Sequence, residues 1–322
     1  MKRGIASAAL AGAMWGLVLM VPQWLPGFSP WLLTVTRFAL YGLASLLLAW
    51  PLRHTLRAKV GRSDMRALAL LSISGNLLYF ILLAAAIQLV GIAPATLIVG
   101  VLPVTITLLG RGDEGAIALS DLKGPLLMVL AGIVCINIDT FALPDAGHAL
   151  SERLSGVACA LGALACWSHF AASNARHLRR HPRFDSHEWS ILLGMMTGLG
   201  ALLLGAAALA AGLPLTRSAA NGGDWAAFWL ACAGMALGGS WLANALWYAA
   251  ARRLPPTLSG QLIVFETVFA LLYGFVWLQR WPKPLELASL LLLLGGVCWA
   301  ARCHARPALR DDMPLAPARQ AG

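Results

Sequence analysis

Charged side chains are scarce in this sequence: Asp, Glu, Lys and Arg together make up 12% of its 322 residues. None of the four occurs in residues 4–36, 67–110, 154–175, 189–216 or 225–251. Hydrophobic residues account for 59%, and the mean hydropathy is +0.73, well above the values of soluble domains. An ordinary soluble domain is therefore excluded. A polytopic membrane protein is predicted, because about 20 apolar residues cross a hydrocarbon core of about 30 Å as a helix.

Motifs that would indicate other chemistry are also missing. The six cysteines form no CxxC pair and no metal-ligand spacing, so neither a disulfide nor a metal site is predicted. There is no GxxxxGK[ST] sequence for ATP and no HExxH sequence for zinc proteolysis. We predict no cofactor and no catalytic residue. The net charge of +10 does not indicate a nucleic-acid partner, because no loop is long enough to form a nucleic-acid-binding domain.

The apolar runs, divided at charges, Pro and Gly, predict an all-α membrane protein of ten transmembrane helices. The second long run is expected to divide near Gly91–Pro94. The predicted helices lie near 4–21, 31–50, 66–88, 92–110, 123–139, 153–175, 189–212, 226–250, 256–278 and 284–301. Residues 303–322, rich in Pro, Ala and Arg, are predicted to be a disordered cytoplasmic tail.

Lys and Arg predict the orientation of the chain, because basic residues are enriched in the loops that stay in the cytoplasm. The N-terminus, every second loop and the tail are basic, and the segment from Arg53 to Arg66 is the richest. The intervening loops contain only Arg153, Arg217, Arg280 and Lys283. Both termini are therefore predicted to be cytoplasmic.

The two halves of the chain resemble each other in order. The first helix has Ala-rich sequence ending at Trp15, and the sixth has similar sequence ending at Trp167. Three alanines close both the third and the eighth helix, at 84–86 and 249–251. Duplication of a five-helix unit reverses its orientation, so we predict two inverted five-helix repeats, residues 1–147 and 148–302. Gln88 at an outer helix end and Arg252-Arg253 at the matching inner end fit that inversion.

This pattern resembles the EamA type of the drug/metabolite transporter superfamily. The motifs that carry the resemblance are Trp15-Gly16, Arg37, Ala93-Pro94-Ala95-Thr96-Leu97 with Leu102-Pro103, and Phe265-Glu266-Thr267-Val268-Phe269-Ala270. It covers roughly residues 4–301. Thr267 stands where the family usually has Pro, and Leu278-Gln279-Arg280 where it often has Gly-Glu. The resemblance implies two five-helix EamA-like repeats and a transporter.

Arg37 and Glu266 are the only full charges clearly inside predicted helices, away from the helix ends. A charge at the bilayer centre costs about 2.5–3.5 kcal/mol on insertion scales, so it usually faces a cavity or a partner. Glu266 is predicted near mid-membrane as a proton or cation site. Arg37 lies nearer the outer third, as an anchor for an anionic group or a gating residue. The alternative for both is a structural role, satisfied by neighbouring polar groups.

Two polar stripes on repeat-related helices predict a substrate cavity. They comprise Ser72, Asn76 and Tyr79 on the third helix, and Ser240, Asn244 and Tyr248 on the eighth. Spacings of i, i+4 and about i+7 put each set on one helix face. The alternative is interhelical hydrogen bonding, worth only about 0.6 kcal/mol on average in membranes. Trp15 and Trp167 are predicted to stack on the substrate.

His169 and Pro103 are candidates for coupling and gating. His169 could titrate, although a hydrogen-bonded structural histidine is the simpler interpretation. Pro103 is expected to kink or start the fourth helix. Other tryptophans are assigned to the interfacial belts of the membrane. They include Trp24, Trp31, Trp189, Trp225, Trp277 and Trp281.

The sequence thus favours a secondary transporter, with export of small metabolites, amino acids or drug-like compounds by alternating access. Coupling to protons through Glu266 is a hypothesis. The alternatives are an intramembrane enzyme and a channel or lipid scramblase. The expected partners are the lipid bilayer and a small-molecule substrate, and homodimer formation stays open. The predicted location is the plasma membrane, as a multi-pass protein, which in a bacterium is the inner membrane.

Overall fold

Helices are the main secondary-structure elements in the described part of this protein. The structure is a computed structural model that describes residues 2–109, 119–142, 150–216, 221–251 and 264–311, together with residues 253 and 262. Among these residues there is no β-strand, and a single isolated bridge joins Phe28 to Thr216.

The helices of the first half follow the predicted spans closely. They are α1 (Lys2–Trp24), α2 (Pro30–Ala49), α3 (Arg53–Lys59), α4 (Arg62–Ser72), α5 (Leu78–Val90), α6 (Ile92–Val99), α7 (Leu102–Leu109) and α8 (Leu119–Ala142). A π-helical segment, Ile73–Leu77, joins α4 to α5. The predicted division of the long apolar run is confirmed, because Gly91 adopts a φ of 84° between α5 and α6.

The second half repeats this arrangement. Its helices are α9 (Leu150–Arg180), α10 (Ser186–Ala210), α11 (Gly222–Gly234), α12 (Ala243–Ala251), α13 (Val264–Trp277) and α14 (Pro284–Asp311). A second π-helical segment, Met235–Leu242, joins α11 to α12. The two π segments thus interrupt repeat-related helices, which the sequence had predicted to be continuous.

Short-range capping fixes where several helices begin. The backbone N–H of Gly61 donates to Asp64 Oδ2 at 2.7 Å at the start of α4, and that of Asn221 donates to Asp224 Oδ2 at 2.9 Å before α11. These two starts are repeat-related. An acidic side chain there satisfies a free N–H and interacts favourably with the helix dipole.

The packing of helices has the symmetry that two related halves require. Helix α1 packs against α12 and α13, and its counterpart α9 packs against α5 and α6. Helix α2 packs against its own counterpart α10, and α8 against α14. Each major contact therefore either has a partner in the other half or is made between two equivalent helices.

Long apolar helices support the insertion of this protein into a membrane. Within the described residues, six helical stretches are long and apolar enough to cross a membrane, and four shorter apolar stretches lie at other predicted spans. The number ten and the cytoplasmic location of both ends stay predictions. Helix α14 continues to Asp311, into the segment predicted as a disordered tail, and residues 312–322 lie outside the described range.

Candidate functional site

A cavity of about 320 Å³ lies between helices of both halves. Eight residues singled out from the sequence line it, four from each half. They are Trp15, Arg37, Asn76 and Tyr79 from the first half, and Trp167, Ser240, Asn244 and Glu266 from the second. The cavity thus lies between the repeats and contains both of the unusual intramembrane charges.

Arg37 is held in this cavity by aromatic rings and one hydroxyl. Its side chain is buried, with 8% of the residue exposed. The guanidinium carbon lies 4.4 Å from the Phe80 ring centroid and 4.8 Å from that of Phe38. One terminal nitrogen donates to Ser240 Oγ at 3.3 Å, a contact that joins the two halves. Its Nε has no hydrogen-bond partner among the described residues, so part of this cation's donor capacity is unused.

Glu266 faces the same cavity from α13. Its carboxylate interacts electrostatically with the Arg37 guanidinium, but among the described residues no ion pair within 4 Å joins them. Close packing of α1 on α13 holds the backbone of Glu266 against α1. A Cβ atom on Gly12 would lie 3.0 Å from the backbone nitrogen of Glu266, and one on Gly16 2.9 Å from that of Ala270. A small-xxx-small spacing of this kind allows two membrane helices to approach closely.

The polar stripe of α4 and α5 serves two purposes. Asn76 Nδ2 donates to Thr197 Oγ1 at 3.0 Å, and Thr197 Oγ1 lies 3.1 Å from Ser72 Oγ. Ser72 therefore joins α4 to α10 and does not line the cavity. This is the interhelical hydrogen bonding that was the alternative to a substrate site. Asn76 both joins that chain and lines the cavity with Tyr79.

Aromatic side chains form two repeat-related walls. Trp15 Nε1 donates to the carbonyl of Gly239 at 2.9 Å, and its rings lie 5.5 Å from those of Trp247. Gly239 belongs to the second π segment, where the widened turn alters the regular i→i−4 bonding. On the opposite side, Trp167 lies 6.4 Å from Tyr79 and 5.9 Å from Phe170.

Of the remaining predicted site residues, His169 does not line the cavity, and the side chains of two others are outside the described structure. His169 is exposed, and its Nε2 lies 3.2 Å from Ser173 Oγ on the same helix. The backbone of Pro103 follows a break between α6 and α7, where a kink was expected, but its side chain lies outside the described part of the structure. The side chain of Tyr248 lies outside it as well.

The sequence missed several residues at one end of the cavity, and it misplaced Trp189. This tryptophan was assigned to an interfacial belt, but only 3% of it is exposed. Its Nε1 donates to Asn174 Oδ1 at 2.7 Å, and both residues line the cavity with Tyr41 and Ser190. The uncharged run correctly predicts that Trp189 lies near the start of a helix. The burial depends on α9, which packs beside it.

Ion pairs join the helix ends next to Trp189. Asp64, fully buried, contacts Arg183 and lies 3.1 Å from His177 Nε2. Lys59 Nζ lies 2.6 Å from Glu188 Oε1. We call these five residues the Asp64 cluster. It connects α3, α4, α9 and α10.

The same region contains the possible metal ligands. In the described part of the chain, ligand atoms of Asp64, His177 and His181 lie within 4.8 Å of one another. Both oxygens of Asp64 are already bonded, Oδ1 to His177 and Oδ2 to the Gly61 N–H and Arg183. The group is therefore satisfied as an ion-pair cluster.

The opposite end of the bundle is sealed by aromatic packing. The Phe28 ring lies 5.0 Å from that of Trp225 and 4.6 Å from that of Phe228. Gln88 Nε2 donates to the carbonyl of Phe28 at 3.0 Å, and Ser29 N donates to the carbonyl of Leu215 at 3.2 Å. The ring contacts of Phe28 and the Ser29–Leu215 bond join the two halves, and none of these six residues lines the cavity.

Comparison with known proteins agrees with this architecture. The model of the EamA-like transporter family matches residues 2–138 and again residues 154–302, one match for each half. The chain belongs to the EamA-like transporter family. The predicted resemblance is thereby confirmed, and family membership points to a transporter rather than an enzyme.

Two individual matches accompany the EamA assignment. The chain is 33% identical over 322 residues to the inner membrane protein YtfF of Escherichia coli strain K12, covering 97% of this chain and 99% of the relative. A solved crystal structure, described only as that of a protein, shares the fold with a TM-score of 0.62 and 18% sequence identity. The match covers 95% of this chain and 99% of the other. This EamA-like transporter is thus a multi-pass protein of the inner membrane.

Proposed function

We propose that this protein is a secondary transporter that exports a small amphipathic metabolite, amino acid or drug-like compound by alternating access. The observation that carries the proposal is the cavity between the repeats, with Arg37 from one half and Glu266 from the other. Transporters built from inverted repeats bind substrate near the bilayer midplane at the repeat interface. Ten spans with both termini cytoplasmic, in repeats 1–147 and 148–302, form the proposed topology.

Arg37 is proposed to anchor an anionic group of the substrate. A guanidinium binds carboxylates and phosphates through several donors at once. Among the described residues, the Nε–H of Arg37 donates no hydrogen bond and is therefore available to a substrate. Phe38 and Phe80 hold the cation in place while leaving those donors available. The tryptophans and the amides of Asn76 and Asn244 are proposed to contact the rest of the substrate.

Glu266 is proposed to be the coupling site. Ionised carboxylates in membranes are costly unless they are paired, and among the described residues no Lys or Arg forms an ion pair within 4 Å of the Glu266 carboxylate. A proton or a cationic substrate group can supply the missing compensation. Exchange between the two would couple substrate movement to a proton gradient.

The two ends of the bundle support a cycle of alternating access. The lining extends to Asn174 and Trp189, near the ends of α9 and α10 that are predicted to be cytoplasmic, whereas the Phe28 end is sealed. This arrangement supports loading from the cytoplasm and argues against an open channel. Release to the outside would require the aromatic packing around Phe28 to separate. The cavity would also have to close at its other end, around Asn174 and Trp189.

Glu266→Gln tests this proposal. Purified protein in proteoliposomes is first screened against metabolites under an imposed pH gradient, and the variant is then compared on the substrate found. We expect gradient-driven transport to be lost, with exchange of labelled for unlabelled substrate retained. Glu152→Gln, at an exposed position in the first turn of α9, is the control. Undiminished coupled transport by Glu266→Gln would refute the coupling role, and absence of trans-stimulation in the wild type would refute a carrier.

A further inference from the structure

An apolar groove runs along the outer side of α2 and α10, away from the substrate cavity. It encloses about 640 Å³. Its wall on α2 includes Val35, Ala39 and Leu43, whereas Arg37 and Tyr41 on the same helix face the cavity. Its wall on α10 includes Leu199. The groove therefore lies where this membrane protein meets lipid.

A second hollow of about 380 Å³ extends the groove to the end of α2. Leu46 and Met195 line both hollows, so the two are continuous. The second hollow ends at the short helix α3, where Arg53 and Arg57 form part of its wall. We call the two hollows together the α2–α10 groove. From Val35 to Ala49 it follows about 21 Å of helix at about 1.5 Å per residue, more than the depth of one leaflet, about 15 Å.

The charged end of this groove is available for an anion. Arg53 and Arg57 are exposed, and within the described ranges no carboxylate forms an ion pair with either. The nearby acids Glu188 and Asp64 are occupied by Lys59 and by the other members of the Asp64 cluster. The guanidinium groups of Arg53 and Arg57 therefore lie at one end of the α2–α10 groove without a carboxylate partner among the described residues.

The orientation of Arg53 is also fixed. Its guanidinium lies 4.8 Å from the Trp50 ring centroid, and Nη1 donates to the Trp50 carbonyl at 2.9 Å. Tryptophan and arginine side chains of this kind sit at the headgroup level of membranes. The pairing keeps the remaining donors of Arg53 near the open end of the groove.

We propose that the α2–α10 groove is a binding site for one anionic glycerophospholipid. An acyl chain would lie along α2 and α10, and the phosphate would contact Arg53 and Arg57. Apolar walls alone would accept any lipid or a second copy of this chain. The two arginines favour the anionic lipid, because each basic residue near an anionic headgroup adds to the attraction.

Native mass spectrometry of the detergent-purified full chain tests this site. The probes are dioleoyl phosphatidylglycerol and dioleoyl phosphatidylcholine, titrated separately. We expect one phosphatidylglycerol to be retained with at least ten-fold preference. Arg53→Gln with Arg57→Gln should weaken its binding by roughly 30-fold, about five-fold for each arginine. The matched control is Arg62→Gln with Arg66→Gln, an exposed pair of the same spacing outside the groove, which should change binding less than two-fold.

Mapping of the bound lipid by photolabelling provides a second, independent test. Phosphatidylglycerol with a photoreactive diazirine in the acyl chain should label groove residues such as Met195 and Leu199. Ala39→Phe, which fills the groove, should reduce that labelling. The proposal is overturned if phosphatidylcholine binds equally well, or if both arginine pairs contribute equally, which would indicate diffuse surface charge. It is also overturned if the groove cross-links to a second copy of the chain instead.

Discussion

The contact between α2 and α10 yields a quantitative prediction. A Cβ atom on Gly42 would lie 2.4 Å from the Cα of Gly198, and one on Gly198 2.5 Å from the Cα of Gly42. Ordinary contacts between carbon atoms are about 3.5–4.0 Å, so Gly42→Ala must move the helices apart by more than about 1 Å. The obstacle is backbone, which no change of side-chain rotamer relieves.

Overpacking of this kind costs about 1–3 kcal/mol of stability. Alanine also favours a helix over glycine by about 1 kcal/mol, which partly hides that cost. Gly234→Ala, at the end of α11, controls for the gain, because a Cβ atom there meets nothing within 4 Å. The difference between the two variants should therefore isolate the overpacking cost.

Thermal unfolding of both variants in detergent or nanodiscs measures this difference. We expect Gly42→Ala and Gly198→Ala to melt several degrees below Gly234→Ala. Transport should fall with them, since Arg37 on α2 and Ser190 on α10 line the same cavity. If Gly42→Ala is as stable as Gly234→Ala, the close packing of α2 and α10 is wrong, and so is the cavity geometry built on it.

Three further predictions concern the cavity, the Asp64 cluster and the topology. Gly75→Ala would put a Cβ atom 2.2 Å from the Phe170 ring, so the KM for substrate should rise several-fold. Adding Phe170→Ala should return the KM toward the wild-type value, and failure of this rescue would contradict the contact. Asp64→Asn should lower stability by about 1–3 kcal/mol in thermal unfolding, because the hydrogen bond between the buried carboxylate and the charged Arg183 guanidinium is weakened. Without native cysteines, Trp281→Cys, at a site 91% exposed, should react with an impermeant thiol reagent added outside intact cells, and exposed His54→Cys should not; the reverse pattern would invert the proposed topology.

Scarcity of charge made two of the site residues visible in the sequence. Arg37 and Glu266 stand out because membrane insertion makes an unpaired charge expensive, and that argument needs no knowledge of neighbours. The same argument supplies no partner. The contacts of Arg37 with Phe80 and Ser240 join residues more than forty and two hundred positions away, and a one-dimensional pattern does not contain them.

Single-helix reasoning failed where burial depends on a neighbouring helix. Trp189 has the position of an interfacial tryptophan, but α9 covers it and turns it toward Asn174. Ser72 has the spacing of a cavity residue, but its hydroxyl is hydrogen-bonded to Thr197 on α10.

The long uncharged runs and the alternation of basic loops were sufficient to predict a helical membrane protein and its approximate spans, because hydrocarbon solvent imposes those patterns on every residue in turn. The family was predicted from a resemblance in motifs such as Trp15-Gly16 and Phe265-Glu266. Residue order did not reveal the two π segments, the glycine contacts between α1 and the Glu266 helix, or the aromatic packing around Phe28. Each of these depends on how far apart two helices lie and which faces they share. Those distances follow from packing of the whole bundle, so they enter only when the chain is folded.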